Sequence, residues 1–269
     1  MKKKNSSFYI GSVLLGICAL FLLSGIFLPL DPEYTEIASK YASPSFSHIF
    51  GCDHFGRDLF ARVASGTSIT ILVSFSVNIA ALFLGGIIGS VSGYFGKIVD
   101  SLFMQLSDAF MAIPGLLLAL MLIAVGGSGM PILILALSVV FFPSYARVIR
   151  NGIRQLKDRD YVQNARLLRI PHHRILFSYI FPGILPQLLP AFVLGLGNAA
   201  LAEASMSYLG LGVQPPAASW GKLLSEGQAH LFSAPWMIIF PAILLAIYVL
   251  SLYFLSEGLR VFLKKEGTV

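Results

Sequence analysis

The side chains best able to grip another molecule are concentrated between Arg147 and Arg174, where eight of the chain's nineteen lysines and arginines lie. This block contains Tyr161-Val162-Gln163-Asn164-Ala165-Arg166-Leu167-Leu168, then Arg169-Ile170-Pro171, and runs on into Ile180-Phe181-Pro182-Gly183-Ile184-Leu185-Pro186. Guanidinium groups suit carboxylates on a partner, and apolar side chains at helical spacing suit a groove. The chemistry on offer is recognition. Held between two membrane-spanning helices, such a basic amphipathic segment faces water on the positive side of the membrane, where a soluble partner can reach it.

The elements that position this block are set by composition. Of 269 residues, 56% are hydrophobic and only 12% charged, with a mean hydropathy of +0.79, values that exclude an ordinary soluble domain and make membrane lipid a partner. The net charge of +6 does not imply nucleic acid, because the charge is parcelled between apolar spans and not gathered on one face. Six stretches are long enough to cross a hydrocarbon core: Phe8 to Leu30, Ser68 to Phe95, Asp100 to Val125, Pro131 to Ile149, Pro182 to Leu209 and Pro235 to Phe262. The first follows Lys2, Lys3 and Lys4 but is too long for a cleaved signal. Lysines and arginines cluster at the N-terminus, at Lys97, in the 147–174 block and at Arg260, Lys264 and Lys265; only Lys40, Arg57, Arg62 and Lys222 fall on the other side. The positive-inside rule then puts both termini and the block in the cytoplasm of a bacterial cell, with the protein in its cytoplasmic membrane.

Between the first two spans lies an outer loop ending in Gly51-Cys52-Asp53-His54-Phe55-Gly56-Arg57-Asp58. This spacing suits a hydrogen-bonded turn that caps the next helix and forms a structural lid. A metal site from His48, His54 and Asp53 is the sharper alternative, but a single short cluster is weak evidence, and no metal is expected. Cys18 and Cys52 cannot meet in this topology and read as inert thiols. Gly85, Gly89 and Gly93 form a small-residue stripe suited to close helix contact, within the chain or with a partner.

Polar residues within spans invite a functional reading. Glu203, with Asn198 and Ser207 near it, is a candidate for the pathway or its gate, or else a buried hydrogen bond locking two helices. Asp108, ahead of the helix-loosening Pro114-Gly115, favours a structural role. The segment from Leu209 through Gln214-Pro215-Pro216 to Trp220 has a rigid, irregular backbone and reads as a re-entrant or lid-like segment near the outer gate, with Trp220 as an interfacial anchor.

Within the basic block, Asp158 and Asp160 favour a helix start and Pro171 predicts a stop, followed by a second short helix from His172 to Tyr179. One face offers Tyr161, Ala165, Leu168 and Ile175 to a groove, and Arg166, Arg169 and Arg174 reach toward acidic groups at its rim.

Here the chain resembles the permeases of binding-protein-dependent ABC importers. Gln163-Asn164-Ala165 with Arg169 at the glycine place, and Ile180, Phe181 and Pro182 further on, are similar to the family's EAA loop. The outer sequences from Gly51 to Asp58 and from Ser207 to Pro216 with Ser219-Trp220-Gly221 resemble the second-subunit (C-type) branch of the dipeptide/oligopeptide/nickel group, as do Gly93-Tyr94-Phe95-Gly96 and Tyr145-Ala146-Arg147. The resemblance implies an all-α, six-helix, MetI-like type I importer permease. Its parts are an N-terminal helix and outer loop over residues 1–66, and a permease domain over 67–265 with a coupling loop at about 151–181. It also implies a second homologous permease, two cytoplasmic ATPase subunits that carry the ATP and magnesium, and an extracytoplasmic solute-binding protein; no cofactor is expected on this chain.

Two departures modify that expectation. Gln163 withdraws the charge of a Glu, so docking rests on shape and on the arginines. Arg169 takes positive backbone dihedrals less readily than glycine, by about 1 kcal/mol, so the bend is expected at Ile170-Pro171. The eroded loop tilts the cargo reading slightly toward metal-associated members, nickel, cobalt or a metal chelate, against the more populous short peptides. An intramembrane enzyme lacks a motif here, with neither His-Glu-x-x-His nor Gly-x-Ser-x-Gly present, and a passive channel gives no reason for a basic paired-helix segment. With no Gly-x-x-x-x-Gly-Lys-Ser/Thr in the chain, ATP hydrolysis belongs to another subunit.

Overall fold

The computed structural model describes residues 3–28 and 31–266. Leu30, the expected end of the first span, and Lys2 of the N-terminal basic run lie outside them. The long elements are α1 (Lys3–Phe27), α2 (Leu59–Phe95), α3 (Lys97–Ala112), α4 (Gly115–Gly126) and α5 (Met130–Leu156). The short α6 (Asp160–Leu167) and α7 (His172–Arg174) follow, and a π-helical turn over Ile175–Ile180 runs into α8 (Phe181–Tyr208). The chain closes with α9 (Trp220–Gln228) and α10 (Trp236–Glu266). Among the described residues there is no β-strand, and the architecture is all-α. Among the described residues five helices are long and apolar enough to cross a membrane.

The expected third span is a broken one. α3 and α4 meet at 91°, so Asp100 to Val125 does not run as one rod. Pro114 lacks the amide hydrogen that would continue the ladder, and Ile113 before it is extended, with φ −90° and ψ 131°. The start of α3 is pinned elsewhere: Arg150 forks onto Asp100 through Nε and Nη2, both at 2.5 Å, and Ser92 donates to Asp100 at 2.5 Å. A bidentate guanidinium–carboxylate pair fixes orientation as well as distance. It ties α3 to the ends of α2 and α5, while α4 packs separately on α5, with Ala119 and Ile123 against Leu133, Ala136 and Leu137.

The glycine stripe does its work inside the chain. Added Cβ atoms at Gly85 and Gly89 would each lie 2.5 Å from a carbonyl oxygen, of Phe142 and Ala146 respectively, and one at Gly93 would lie 3.0 Å from that of Arg150. Four-residue steps on α2 thus match four-residue steps on α5. Both numberings rise together, so the two helices run parallel with backbones in contact, and their shared surface is the most extensive in the fold. α1 packs antiparallel to α10, where Cβ atoms at Gly11 and Gly258 would collide with Leu255 and Phe8. At mid-depth Asn78 accepts from the Tyr145 hydroxyl and donates to the Phe192 carbonyl at 2.8 Å, joining α2, α5 and α8.

Gly89→Ala is therefore expected to overpack the α2–α5 crossing by ~1–3 kcal/mol and to lower the Tm of the purified protein in detergent. Gly16→Ala, whose new Cβ meets nothing within 4 Å, is expected to leave Tm unchanged or raise it slightly, as helix propensity dictates.

Candidate functional site

The basic block folds as an elbow at the end where α2 and α5 finish. Arg159 is extended ahead of α6, and Asp160 sits in its first turn, where a carboxylate faces the positive end of the helix dipole. The bend differs from expectation. Arg169 itself adopts φ 55°, in the left-handed region that the resembled family fills with glycine. The hydrogen bonds explain why: the Ile170 amide reaches back to the Ala165 carbonyl at 3.1 Å and the Arg169 amide to that of Arg166 at 2.9 Å, a Schellman ending that satisfies the last carbonyls of α6. Termination is decided by this bonding pattern, and Arg169 carries the strain. Pro171, at φ −62° and ψ 143°, then starts the second arm, which continues through the π turn into α8 without a break.

The faces of the elbow also differ. Ala165 and Ile175 are buried with Val162 against Ile149, Ile153 and Ile184, holding the elbow to α5 and α8. On the first arm the apolar side chains left open are Tyr161, Leu168 and Leu167, the last 81% exposed, and on the second arm Phe177 is exposed as well. Gln163, Asn164, Arg169, Pro171 and Arg174 are exposed with them. Leu167 was missed because it lies off the stripe that includes Ala165. Arg166 is not a free rim charge: its guanidinium lies 5.4 Å over the Tyr94 ring, with Nε buried and unpartnered.

Beside the elbow a cavity of about 890 Å³ opens between α5, α8 and α10, lined in part by Asn151, Gln155, Gln187, Tyr253, Glu257 and Arg260. The exposed face of α8 continues from it through Leu194 and Asn198. Asp108 lies elsewhere. It is exposed, not buried, and pairs with Arg147 at 2.5 Å.

At the opposite end the outer segments interlock. Asp53 is fully buried and accepts from the amides of Phe55 (2.8 Å) and Arg57 (3.0 Å) and from the guanidinium groups of Arg57 (2.7 Å) and Arg62 (3.0 Å). Burial pushes its pKa up, but the hydrogen bonds and charge of Arg57 outweigh it and leave the carboxyl below its ordinary range. Arg62 also bonds Glu226 of α9 at 2.5 Å. Gly51 and Gly56 turn at φ 76° and 79°, and Asp58 caps α2 by accepting from the Ala61 amide at 3.0 Å. Donor atoms of Asp53, His54 and Glu226 come within 4.8 Å of one another, whereas His48 pairs with Asp58 at 2.8 Å. The two guanidinium groups already neutralise both carboxylates, so the trio does not fit a cation. Cys52 is buried, its thiol pushed up to about 11 by burial and by Asp58, Asp53 and Glu36.

Glu203 is fully buried and accepts from Ser207 at 2.7 Å, while Ser207 accepts from the Val213 amide at 3.1 Å. This knot ties α8 to the loop beyond it, so Glu203 and Ser207 lack the open face a gate requires. Trp220 is not an interfacial anchor. It is completely buried, edge-on to Tyr248 at 5.7 Å, and its amide donates to Thr70 at 3.2 Å. Gln214 folds back onto the Gly210 and Gly212 carbonyls at 3.0 and 3.2 Å.

Residues 81–266 match the family described as binding-protein-dependent transport system inner membrane component. The chain belongs to this family. It is 33% identical over 262 residues to the dipeptide transport system permease protein DppC of Alkalihalophilus pseudofirmus, covering 96% of this chain and 85% of that protein. It is 34% identical over 248 residues to the oligopeptide transport system permease protein OppC of Bacillus subtilis, covering 91% and 81%. Among solved structures, an inward-facing MetNI methionine ABC transporter aligns with TM-score 0.56 at 19% identity, over 72% of this chain and 94% of that one. The MetI-like permease fold is thus shared, and the chain is a multi-pass permease subunit of an ABC importer in the cytoplasmic membrane.

Because Arg169 holds a left-handed conformation, Arg169→Gly is expected to relieve about 1–2 kcal/mol of strain, and Arg169→Val to add to it. Hydrogen exchange at the amides of Arg169 and Ile170 checks this: slower in the glycine variant and faster in the valine variant.

Proposed function

We propose that the elbow is the dock for a cytoplasmic ATPase subunit and that the cavity beside it is this chain's half of a pathway completed by a second permease. The observation that carries the docking reading is the trio Tyr161, Leu167 and Leu168, exposed on a two-armed elbow whose inner side is packed onto α5 and α8. Large apolar side chains on a rigid, charge-rimmed projection suit a groove on a soluble partner. The asymmetry of lysine and arginine supports a cytoplasmic location for the elbow and for both termini. Lys264 and Lys265 contribute to it by sequence position alone.

On this reading the lid of Asp53, Arg57, Arg62 and Glu226 faces the exterior, where an extracytoplasmic solute-binding protein delivers cargo. The cavity presents amide side chains with Glu257 and Arg260, and the exposed face of α8 extends from it to Asn198. Such a lining suits a solvated, zwitterionic solute better than a bare ion, which calls for convergent ligands. Together with relatives named for dipeptide, oligopeptide and glutathione transport, it supports a short peptide as cargo.

Leu167→Asp and Leu168→Asp test the dock, because both positions are exposed and neither change disturbs the buried face. Either is expected to reduce co-purification of the ATPase by tenfold or more, as loss of an interfacial anchor of about 1.4 kcal/mol or more would, with membrane insertion unchanged. Undiminished co-purification in both would overturn the docking reading. Mass spectrometry of the solute-binding protein that acts with this complex should find short peptides, and a metal chelate in their place would overturn the cargo.

A further inference from the structure

The elbow is joined covalently to α5 through residues 157–159 and to α8 through the π turn, and it packs on both. Its tie to α2 is a side-chain contact that neither the family match nor the docking reading assigns. Tyr94, next to Gly93 at the end of α2, lies between the two arms of the elbow. Its hydroxyl is 2.7 Å from Nδ1 of His172, on the arm after the bend, and the two rings meet edge-on at 5.5 Å. Its face carries the guanidinium of Arg166, on the arm before the bend, at 5.4 Å. Arg166 Nε is buried without a hydrogen-bond acceptor, so the aromatic face is what compensates that part of the cation.

We propose that Tyr94, Arg166 and His172 form a latch that ties the end of α2 directly to both arms of the elbow, so that force delivered to the elbow reaches α2 as well as α5 and α8. The three are positioning residues: they touch neither nucleotide nor cargo. The position of Tyr94 gives the latch its reach. Gly93 lies against the Arg150 backbone and Ile153 of α5, and Arg150 holds Asp100 of α3. One aromatic side chain therefore connects both arms of the elbow to the glycine-lined α2–α5 crossing and, through it, to the start of α3. Without the latch a displaced elbow would act directly on α5 and α8 only, and the end of α2 could lag. Loss of the latch would then leave ATP turnover intact and uncouple it from cargo movement.

This inference rests on the docking reading, and the test keeps the two apart. The complete complex, with its second permease, ATPases and solute-binding protein, is reconstituted in liposomes, and cargo moved per ATP hydrolysed is measured. Tyr94→Phe keeps the ring and removes the hydroxyl. It is expected to lower the ratio by about threefold to tenfold, the range that a net hydrogen-bond contribution implies, with ATPase turnover and Tm within twofold and a few degrees of the parent. Tyr94→Leu removes the cation's platform too and is expected to lower the ratio further. His172→Gln, which retains a polar partner for the hydroxyl, should preserve the ratio, while His172→Ala should match Tyr94→Phe. The double variant Tyr94→Phe/His172→Ala should be no worse than either single change. An unchanged ratio in both Tyr94 variants, or additive losses in the double variant, would overturn the latch while leaving the dock standing. Failure of the parent complex to retain its ATPase would instead overturn the dock.

Discussion

Contact between the backbones of α2 and α5 is the constraint on which the other elements depend. Gly85, Gly89 and Gly93 lie against the carbonyls of Phe142, Ala146 and Arg150, and no larger side chain fits those positions without moving one helix. In lipid there is no hydrophobic drive to bring helices together, so close packing and internal hydrogen bonds must supply it. The crossing supplies the packing. Asn78 with Tyr145 and Phe192, and Asp100 with Arg150 and Ser92, add polar ties above and below it. α8 is joined to the pair at mid-depth, α3 at the elbow end, and the elbow rests on the side chains of α5 just beyond.

The two ends of the molecule are built differently, in keeping with different tasks. The lid end is closed by charge: Asp53 is saturated with donors, Arg62 bridges it to Glu226, and Glu203 and Ser207 secure the loop leading to the buried Trp220. Breaking one partner of such a buried pair strands the other, which makes the lid a rigid surface. The elbow end is apolar within and exposed without. It projects Tyr161, Leu167 and Leu168 while sharing Ile149, Ile153 and Ile184 with the spans. On the docking proposal the elbow must be firmly fixed on one side and open on the other, and this distribution of side chains suits both.

Much of this was legible in the amino-acid order. Apolar runs of about 20 residues announce spans because the bilayer demands that length. The stripe at Gly85, Gly89 and Gly93 announced a contact, though whether its partner lay within the chain depends on α5, half a hundred residues away. Other features were hidden for stated reasons. Pro114-Gly115 signalled a weak point, but neither the 91° turn nor the pinning of Asp100 by Arg150, a tertiary pair, could be read from it. Propensity argued against a left-handed Arg169, and the capping bonds to Ala165 and Arg166 prevailed. Trp220 followed the rule for interfacial aromatics in composition but not in place, because Gly221 lets α9 approach Ala204 of α8 closely enough to draw the indole inside. Asn78 and Tyr145 are each unremarkable alone, and only their meeting across 67 residues shows what they do.

The most direct measurement follows the elbow and α2 together through the ATP cycle. Spin labels at His173 on the elbow and Ile87 on α2, both exposed, give an intramolecular distance by pulsed electron resonance, and His173 labels on two elbows of a paired assembly give an intermolecular one. If the elbow and the α2–α5 pair move as one body, the first distance is unchanged between nucleotide-free and ATP-trapped complexes while the second shifts. An intramolecular distance that changes as much as the intermolecular one would show the elbow sliding free of the helices it is held to move, and would contradict the central claim.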